Sequence, residues 1–342
     1  MSKSRVLIVG GGGIGAISAY ALEKGGMAEV TAVLRSNYDA VRNEGYTLDS
    51  VQYGQVKGWR PTSITKTVPD VPKYGVEPFD FIVVTTKNIP DVPPSVADLI
   101  APAVTPGKTV IVLSQNGINI EKPLIIRYPT NPLVSSVAYI GATETAPGNI
   151  LFDDRDVQKI GAFESPAVPA NVASDAAMRY VKIYNPQGEL EVSYEPNVAK
   201  ARWRKLAYNA SFNPVAAILR MDTSRIKLSG HIIEDLILPI VHEIRAAAKA
   251  NNIEMTQDLA DEVVSQDPIN SPFKPSMLQD IERNNLMEIE NILGEPLREG
   301  EARGVPMPTL RLVYGVMKGL QLGVREARGL WKPDLEKTCV ET

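Results

Sequence analysis

The richest chemistry in this 342-residue chain lies in one segment, Trp203-Arg204-Lys205-Leu206-Ala207-Tyr208-Asn209-Ala210-Ser211-Phe212-Asn213-Pro214. Lys205, Asn209 and Asn213 recur at i, i+4 and i+8, which sets an ammonium and two amides on one stripe of a helix among apolar neighbours. Asn is a poor helix-interior residue, and two on a partly buried face cost stability unless something hydrogen-bonds them. A ligand is one such partner; a stripe turned to solvent or to another domain is the alternative. An ammonium so placed can polarise a carbonyl and protonate its oxygen, provided its surroundings tune its pKa. The chain has only two histidines, His231 and His242, and both read as structural.

Lys274-Pro275-Ser276-Met277-Leu278-Gln279-Asp280 and Met287-Glu288-Ile289-Glu290 supply the polar groups to accompany that lysine. Ser276 opens a helix and either offers its hydroxyl and nearby amides to a carboxylate or acts as an N-cap. Glu288 is about 18 Å further along if one straight helix continues from Ser276. Ser276 would then serve a substrate and Glu288 a cofactor, a limit that a later helix start would relax.

A second cluster lies at the N-terminus. Val6-Leu7-Ile8-Val9 runs into Gly10-Gly11-Gly12-Gly13-Ile14-Gly15, with Gly10, Gly12 and Gly15 in the three positions of G-x-G-x-x-G. The turn follows a strand and opens a helix within a βαβ unit, the setting that binds a dinucleotide pyrophosphate; the alternative is a merely flexible glycine turn. Gly10 allows the tight turn, Gly12 the backbone approach to phosphate, and Gly15 close helix–strand packing. Twenty residues after Gly15, where NAD-binding chains carry an acid, stands Arg35. A guanidinium suits a 2′-phosphate, so NADP(H) is the expected cofactor, unless Arg35 is a solvated strand-end residue. Lys87 and Asn116-Gly117 follow later strands at the same end, as ligand contacts or as an exposed lysine and an ordinary turn.

These groups need a scaffold, and the pattern supplies one. Arg5–Val9, Val30–Leu34, Phe79–Thr85, Thr109–Leu113 and Leu133–Tyr139 read as strands, with a helix at Ile14–Lys24. Gly141 to about Pro196 reads as an antiparallel extension of the sheet with a helix at Val172–Val181. After Asn197, a plausible N-cap, come helices at Val198–Leu219, Ser224–Ala250, Thr256–Ser265, Ser276–Arg303 and Pro308–Leu322, with Pro333–Thr342 as a loose tail. The expected architecture is α/β: an N-terminal Rossmann-type, doubly wound parallel sheet over 1–195, and an all-helical C-terminal domain over 196–335.

Composition excludes much else. A net charge of −4 offers no footprint for nucleic acid, and no stretch approaches the ~20 apolar residues of a membrane span. One cysteine, Cys339, can form neither an internal disulfide nor a Cys-rich metal site, so no metal and a cytoplasmic setting are expected.

Over nearly its whole length the chain resembles the ketopantoate reductases, which reduce 2-dehydropantoate to pantoate with NADPH. The resemblance rests on Gly10–Gly15, Leu34-Arg35, Thr86-Lys87, Asn116-Gly117, Trp203–Pro214, and Ser276-Met277-Leu278-Gln279-Asp280 through Glu288. It implies a cleft active site with Lys205 as proton donor and Asn209, Asn213 and Ser276 as substrate ligands. Asn116 and Glu288 match positions that contact both cofactor and substrate region; Ala142 falls near an NADP contact, and Gly11, Gly13 and Ile14 complete the phosphate turn. The chain departs from the family at Phe273-Lys274-Pro275, where a small polar residue often precedes the serine, and at Asp222-Thr223, where the family has a substrate-contacting Asn. The expected partner is a small 2-oxoacid, with the oligomeric state, a homodimer included, left open. The alternatives are a reductase of another branched 2-oxoacid and a non-catalytic NADP sensor.

Overall fold

A computed structural model describes residues 2–334, so Cys339 and the tail from 335 onward lie outside the described residues. The chain divides into two compact units, the first ending at Arg202 and the second beginning at Trp203.

The strands are β1 (Ser4–Val9), β2 (Ala28–Val33), β3 (Tyr46–Ser50), β4 (Gly54–Trp59), β5 (Ser63–Thr65), β6 (Phe81–Val84), β7 (Val110–Leu113), β8 (Leu133–Tyr139), β9 (Ala142–Ala146), β10 (Asn149–Phe152), β11 (Val157–Ala162) and β12 (Glu191–Tyr194). Helices α1 (Gly13–Lys24), α2 (Tyr38–Glu44), α3 (Val71–Tyr74), α4 (Val96–Ile100), α5 (Lys122–Arg127) and α6 (Ala170–Tyr184) connect them. The main sheet runs β12-β11-β8-β7-β6-β1-β2-β5, and every neighbouring pair from β5 to β8 is parallel. The chain winds outward from β1 to β5, then returns to the other side of β1 with β6, β7 and β8. The point of reversal lies between β1 and β6, where ligands of such sheets collect.

Both faces of this sheet are covered, which is why its strands read as continuous apolar runs. Val6 and Ile8 of β1 enter one core with Ile17 and Leu22 of α1 and Tyr180 of α6. Leu7 and Val9 enter the other, with Ile100 and Leu124.

The stretch from Gly141 departs from the expected antiparallel extension. β11 does pair antiparallel with β8, but β12 joins it in parallel. The β9–β10 hairpin leaves the main sheet for a second one, ordered β4-β3-β10-β9. The cause is burial: Leu48, Ile150 and Phe152 complete the same core as α1 and α6. Ahead of β11, fully buried Asp156 accepts hydrogen bonds from Tyr184 Oη (2.8 Å), Gln158 Nε2 (2.7 Å) and Tyr53 Oη (3.2 Å), tying α6 and the β3–β4 turn to the sheet. Burial holds its carboxyl above the ordinary carboxylate range.

The helical unit comprises most of α7 (Val198–Leu219), then α8 (Thr223–Leu228), α9 (Leu238–Ala250), α10 (Leu259–Ser265), α11 (Ser276–Glu282), α12 (Glu295–Glu301) and α13 (Pro308–Ala327), with no strand among the described residues. Asn197 caps α7, its Oδ1 accepting from Lys200 N at 3.1 Å. Two expected helices are broken. Ser224–Ala250 is interrupted where Gly230 takes φ +65°, and Ser276–Arg303 where Asn284 takes φ +54°. Each resumes through a π turn, Ile233–Ile237 and Glu290–Gly294, just before Pro239 and Pro296. A proline lacks the i→i−4 donor and its ring crowds that carbonyl, so the turn ahead of it widens. Thr256–Ser265 begins only at Leu259, and the last helix extends beyond Leu322 to Ala327.

Candidate functional site

Register builds the first cluster, in the sheet unit. Val9 is level with Val33 and Val84, and Val84 with Leu113, so the loops that begin at Gly10, Leu34, Thr85 and Ser114 leave one edge of the sheet together. These loops carry the glycine turn, Arg35, Lys87 and Asn116.

The glycine turn follows its expected division of labour. Gly10 has φ +118°, a conformation side chains resist, and a Cβ there would lie 2.9 Å from Thr86 N. A Cβ on Gly15 would lie 1.9 Å from the Gly10 carbonyl oxygen, so helix and strand pack through its bare backbone. Gly12 has nothing within 4 Å of such an atom, which leaves room for a ligand to reach the backbone.

Two glycines outside the motif are equally constrained. A Cβ on Gly11 would meet Leu34 Cδ2 at 2.3 Å, and one on Gly13 would meet the carbonyl oxygen of Ala142 at 2.2 Å. Ala142, the first residue of β9, thus buttresses the start of α1. The Gly11 carbonyl also accepts from Asn37 Nδ2 (2.7 Å) and Tyr46 Oη (3.0 Å). Asn37 donates again to Glu144 Oε1 (2.8 Å), which takes the Gly148 N–H at 3.0 Å. Burial, with Glu144 nearby, pushes the Tyr46 hydroxyl above its ordinary range, so it remains a neutral donor. Sequence reasoning missed Asn37, Tyr46 and Glu144 because they meet only through the second sheet. The Tyr46-Leu48-Ser50 alternation was the available signal for its first strand.

These residues fit a dinucleotide. No side chain caps α1 and no acid sits in its first turn, so its N-terminal amides suit an anion without competition. Arg35 is exposed at the end of β2 and Lys87 at the end of β6, while Asn116 is half-buried. Thr86 Oγ1 and Gln115 Oε1 are buried on the same loops without a hydrogen-bond partner, as expected of groups that a ligand completes.

A second cluster, in the helical unit, lies on α7, which runs unbroken through Pro214. Asn209 is 7% exposed and Asn213 3%, with Lys205 half-buried one turn before them. Neighbouring polar groups on α7 have structural duties: Arg204 pairs with Glu262 at 2.6 Å, and Tyr208 bonds Asp267 while stacking on Phe212 at 5.0 Å.

Ser276 is exposed and is the first helical residue of α11; the cap position is Pro275, so the N-cap reading is incorrect. Glu288 is half-buried in the non-helical segment before the second π turn. The 18 Å separation along a straight helix therefore does not apply. The backbone just before Glu288 is held by Gln321 of α13, whose buried amide takes the Met287 N–H and donates to the Met287 carbonyl, both at 3.0 Å. Asp222 caps α8, accepting from Arg225 N (2.9 Å) and Arg225 Nη1 (2.8 Å). His231 and His242 are exposed and belong to neither cluster. Among the described residues no group of His, Cys, Asp and Glu could hold a metal ion, and no helix is long and apolar enough to cross a membrane.

The family model for ketopantoate reductase PanE/ApbA matches residues 6–165, and its C-terminal counterpart matches 197–321. The chain is 35% identical to an uncharacterized protein of Saccharomyces cerevisiae over 98% of each chain. Among solved structures it is similar to 2-dehydropantoate 2-reductase from Methylococcus capsulatus, with a TM-score of 0.78 and 30% identity over 94% of this chain and 97% of that one. D-mandelate dehydrogenase with NADH and anilino(oxo)acetate shares the fold, with a TM-score of 0.79 at 19% identity over 94% of this chain and 99% of that one.

Proposed function

The chain belongs to the ketopantoate reductase family of oxidoreductases, and from that premise we propose that it reduces 2-dehydropantoate to pantoate with NADPH, a cytoplasmic step toward pantothenate. The observation that carries this reading is the α7 stripe: two amides nine-tenths or more buried, one and two turns from a half-buried lysine. Asn is a poor helix-interior residue, and the same stripe that sets the two amides in line with the lysine suits a polar substrate.

When bound, NADPH supplies the hydride. Gly10, Gly11, Gly12, Gly13, Ile14 and Gly15 would hold its pyrophosphate, Arg35 would pair with a 2′-phosphate, and Lys87, Asn116, Ala142 and Glu288 would hold the rest of the cofactor. Asn209, Asn213 and Ser276 orient the 2-oxoacid. Lys205 hydrogen-bonds the ketone oxygen and gives it a proton as charge develops there. The proposed domains are an NADP-binding one over 1–195 and a substrate and catalytic one over 196–335, with Glu288 the one proposed cofactor residue in the second. A second copy of the chain is the proposed protein partner, since α13 exposes Leu312 and Val316 beside Gly315 and Gly319, which have open space around them.

One observation favours a second reading. Asp222, where the family has a substrate-contacting Asn, is consumed in capping α8 and pairing with Arg225. A different branched 2-oxoacid would meet that altered surface. The deciding experiment follows NADPH absorbance on addition of 2-dehydropantoate and of other branched 2-oxoacids. Turnover of 2-dehydropantoate is expected; turnover of the others alone selects the second reading. Tight NADPH binding without turnover of any would make the protein a non-catalytic sensor and defeat both.

A further inference from the structure

Arg202 belongs to no motif and has no part in the chemistry above, yet its side chain makes four hydrogen bonds near the sheet edge. The residue is 6% exposed. Its Nε donates to Ser135 Oγ of β8 at 2.7 Å, Nη1 to the carbonyls of Gln115 (3.0 Å) and Gly117 (2.8 Å), and Nη2 to that of Leu113 at 3.2 Å. The guanidinium lies over the Phe163 ring, 5.1 Å from its centroid. All three carbonyls belong to the run that leaves β7, and two of them flank Asn116. That loop turns through positive φ at Gly117 (+87°) and Asn119 (+59°), so the direction of Asn116 depends on how its neighbouring peptides are held. Gln115 extends the hold, donating from Nε2 to the Thr86 carbonyl at 2.7 Å, one residue before Lys87.

We propose that Arg202 is a positioning residue for the cofactor edge of the sheet. It sets Asn116 by gripping the peptide groups on both sides of it, and sets Lys87 through Gln115. The planar fork of five donors is what this task requires; a lysine ammonium, with three donors at one point, cannot span a hydroxyl and three carbonyls. The inference rests on the reading of Asn116 and Lys87 as cofactor ligands.

The test is a coupling measurement on the full chain, titrating NADPH and NADH by nicotinamide fluorescence. For the dinucleotide that the unmodified protein binds more tightly, Arg202→Met should raise Kd about tenfold and Arg202→Lys about threefold. In the Asn116→Ala/Lys87→Ala background, Arg202→Met should add less than twofold, because the groups it positions are gone. A purely structural arginine would exert its full factor in both backgrounds, and that result overturns the proposal. So does a change below twofold in Arg202→Met, or an unaltered Kd in the Asn116→Ala/Lys87→Ala protein. If Arg202→Met does not fold, Arg202→Lys carries the same comparison, with a persisting or absent effect counting against. Failure of the reductase reading is distinguishable: turnover of every 2-oxoacid is then absent while binding and its coupling to Arg202 remain measurable.

Discussion

In the sheet unit the candidate ligands are scattered along the sequence from Gly10 to Asn116, yet they stand on one edge because β1, β2, β6 and β7 end in register. In the helical unit Lys205, Asn209 and Asn213 lie within one segment and need a single helix to align them. The first arrangement depends on many long-range pairings and tolerates little change in backbone shape; the second depends on local periodicity. The two halves nonetheless share a device. Where a candidate ligand sits outside regular structure, a buried side chain from elsewhere grips the adjacent backbone: Arg202 beside Asn116, Gln321 beside Glu288.

This contrast is sharpest for chemistry against binding. Lys205→Ala should lower turnover about a thousandfold or more, the scale of a lost general acid, while NADPH affinity stays within about threefold. Stopped-flow turnover beside a binding titration reads both, and near-normal turnover would remove Lys205 from its role.

Within the sheet unit the glycines separate packing from recognition. Gly15→Ala forces a Cβ against the Gly10 carbonyl and should cost about 3 kcal/mol of stability, seen as a lowered midpoint in thermal or urea unfolding. Gly12→Ala meets open space and should stay within about 0.5 kcal/mol while weakening NADPH binding. Equal destabilisation by the two would mean that Gly12 serves packing as Gly15 does. A smaller effect than those of Lys205→Ala and Gly15→Ala is expected of Arg35→Ala, which should narrow the preference for NADPH over NADH by about tenfold, the worth of one exposed charge-assisted contact. An unchanged ratio of affinities would place the 2′-phosphate elsewhere.

Much of this was legible without coordinates. Both-sided burial makes the central strands apolar throughout, so β1, β2, β6, β7 and β8 stand out, and so does α1 with its glycine turn. The long α7 declares itself by its cap at Asn197 and its 3.6-residue stripe. The helix breaks at Gly230 and Asn284 were less visible, since the apolar pattern continues past them and only the following prolines hint at widened turns.

The sequence by itself determined which groups the protein has for its chemistry: glycines where a phosphate would lie, an arginine where an acid would select NAD, and a lysine in line with two amides. Those are local facts, set by residue type and by spacing along one strand–turn–helix or one helix. Only the tertiary structure decided what supports them. The Asn37, Tyr46 and Glu144 bracket on the glycine turn, the Arg202 hold on the Asn116 loop and the Gln321 hold on Met287 each join residues distant in the chain. No periodicity encodes such pairs, because a buried donor finds its acceptor only after the sheet and helices have packed.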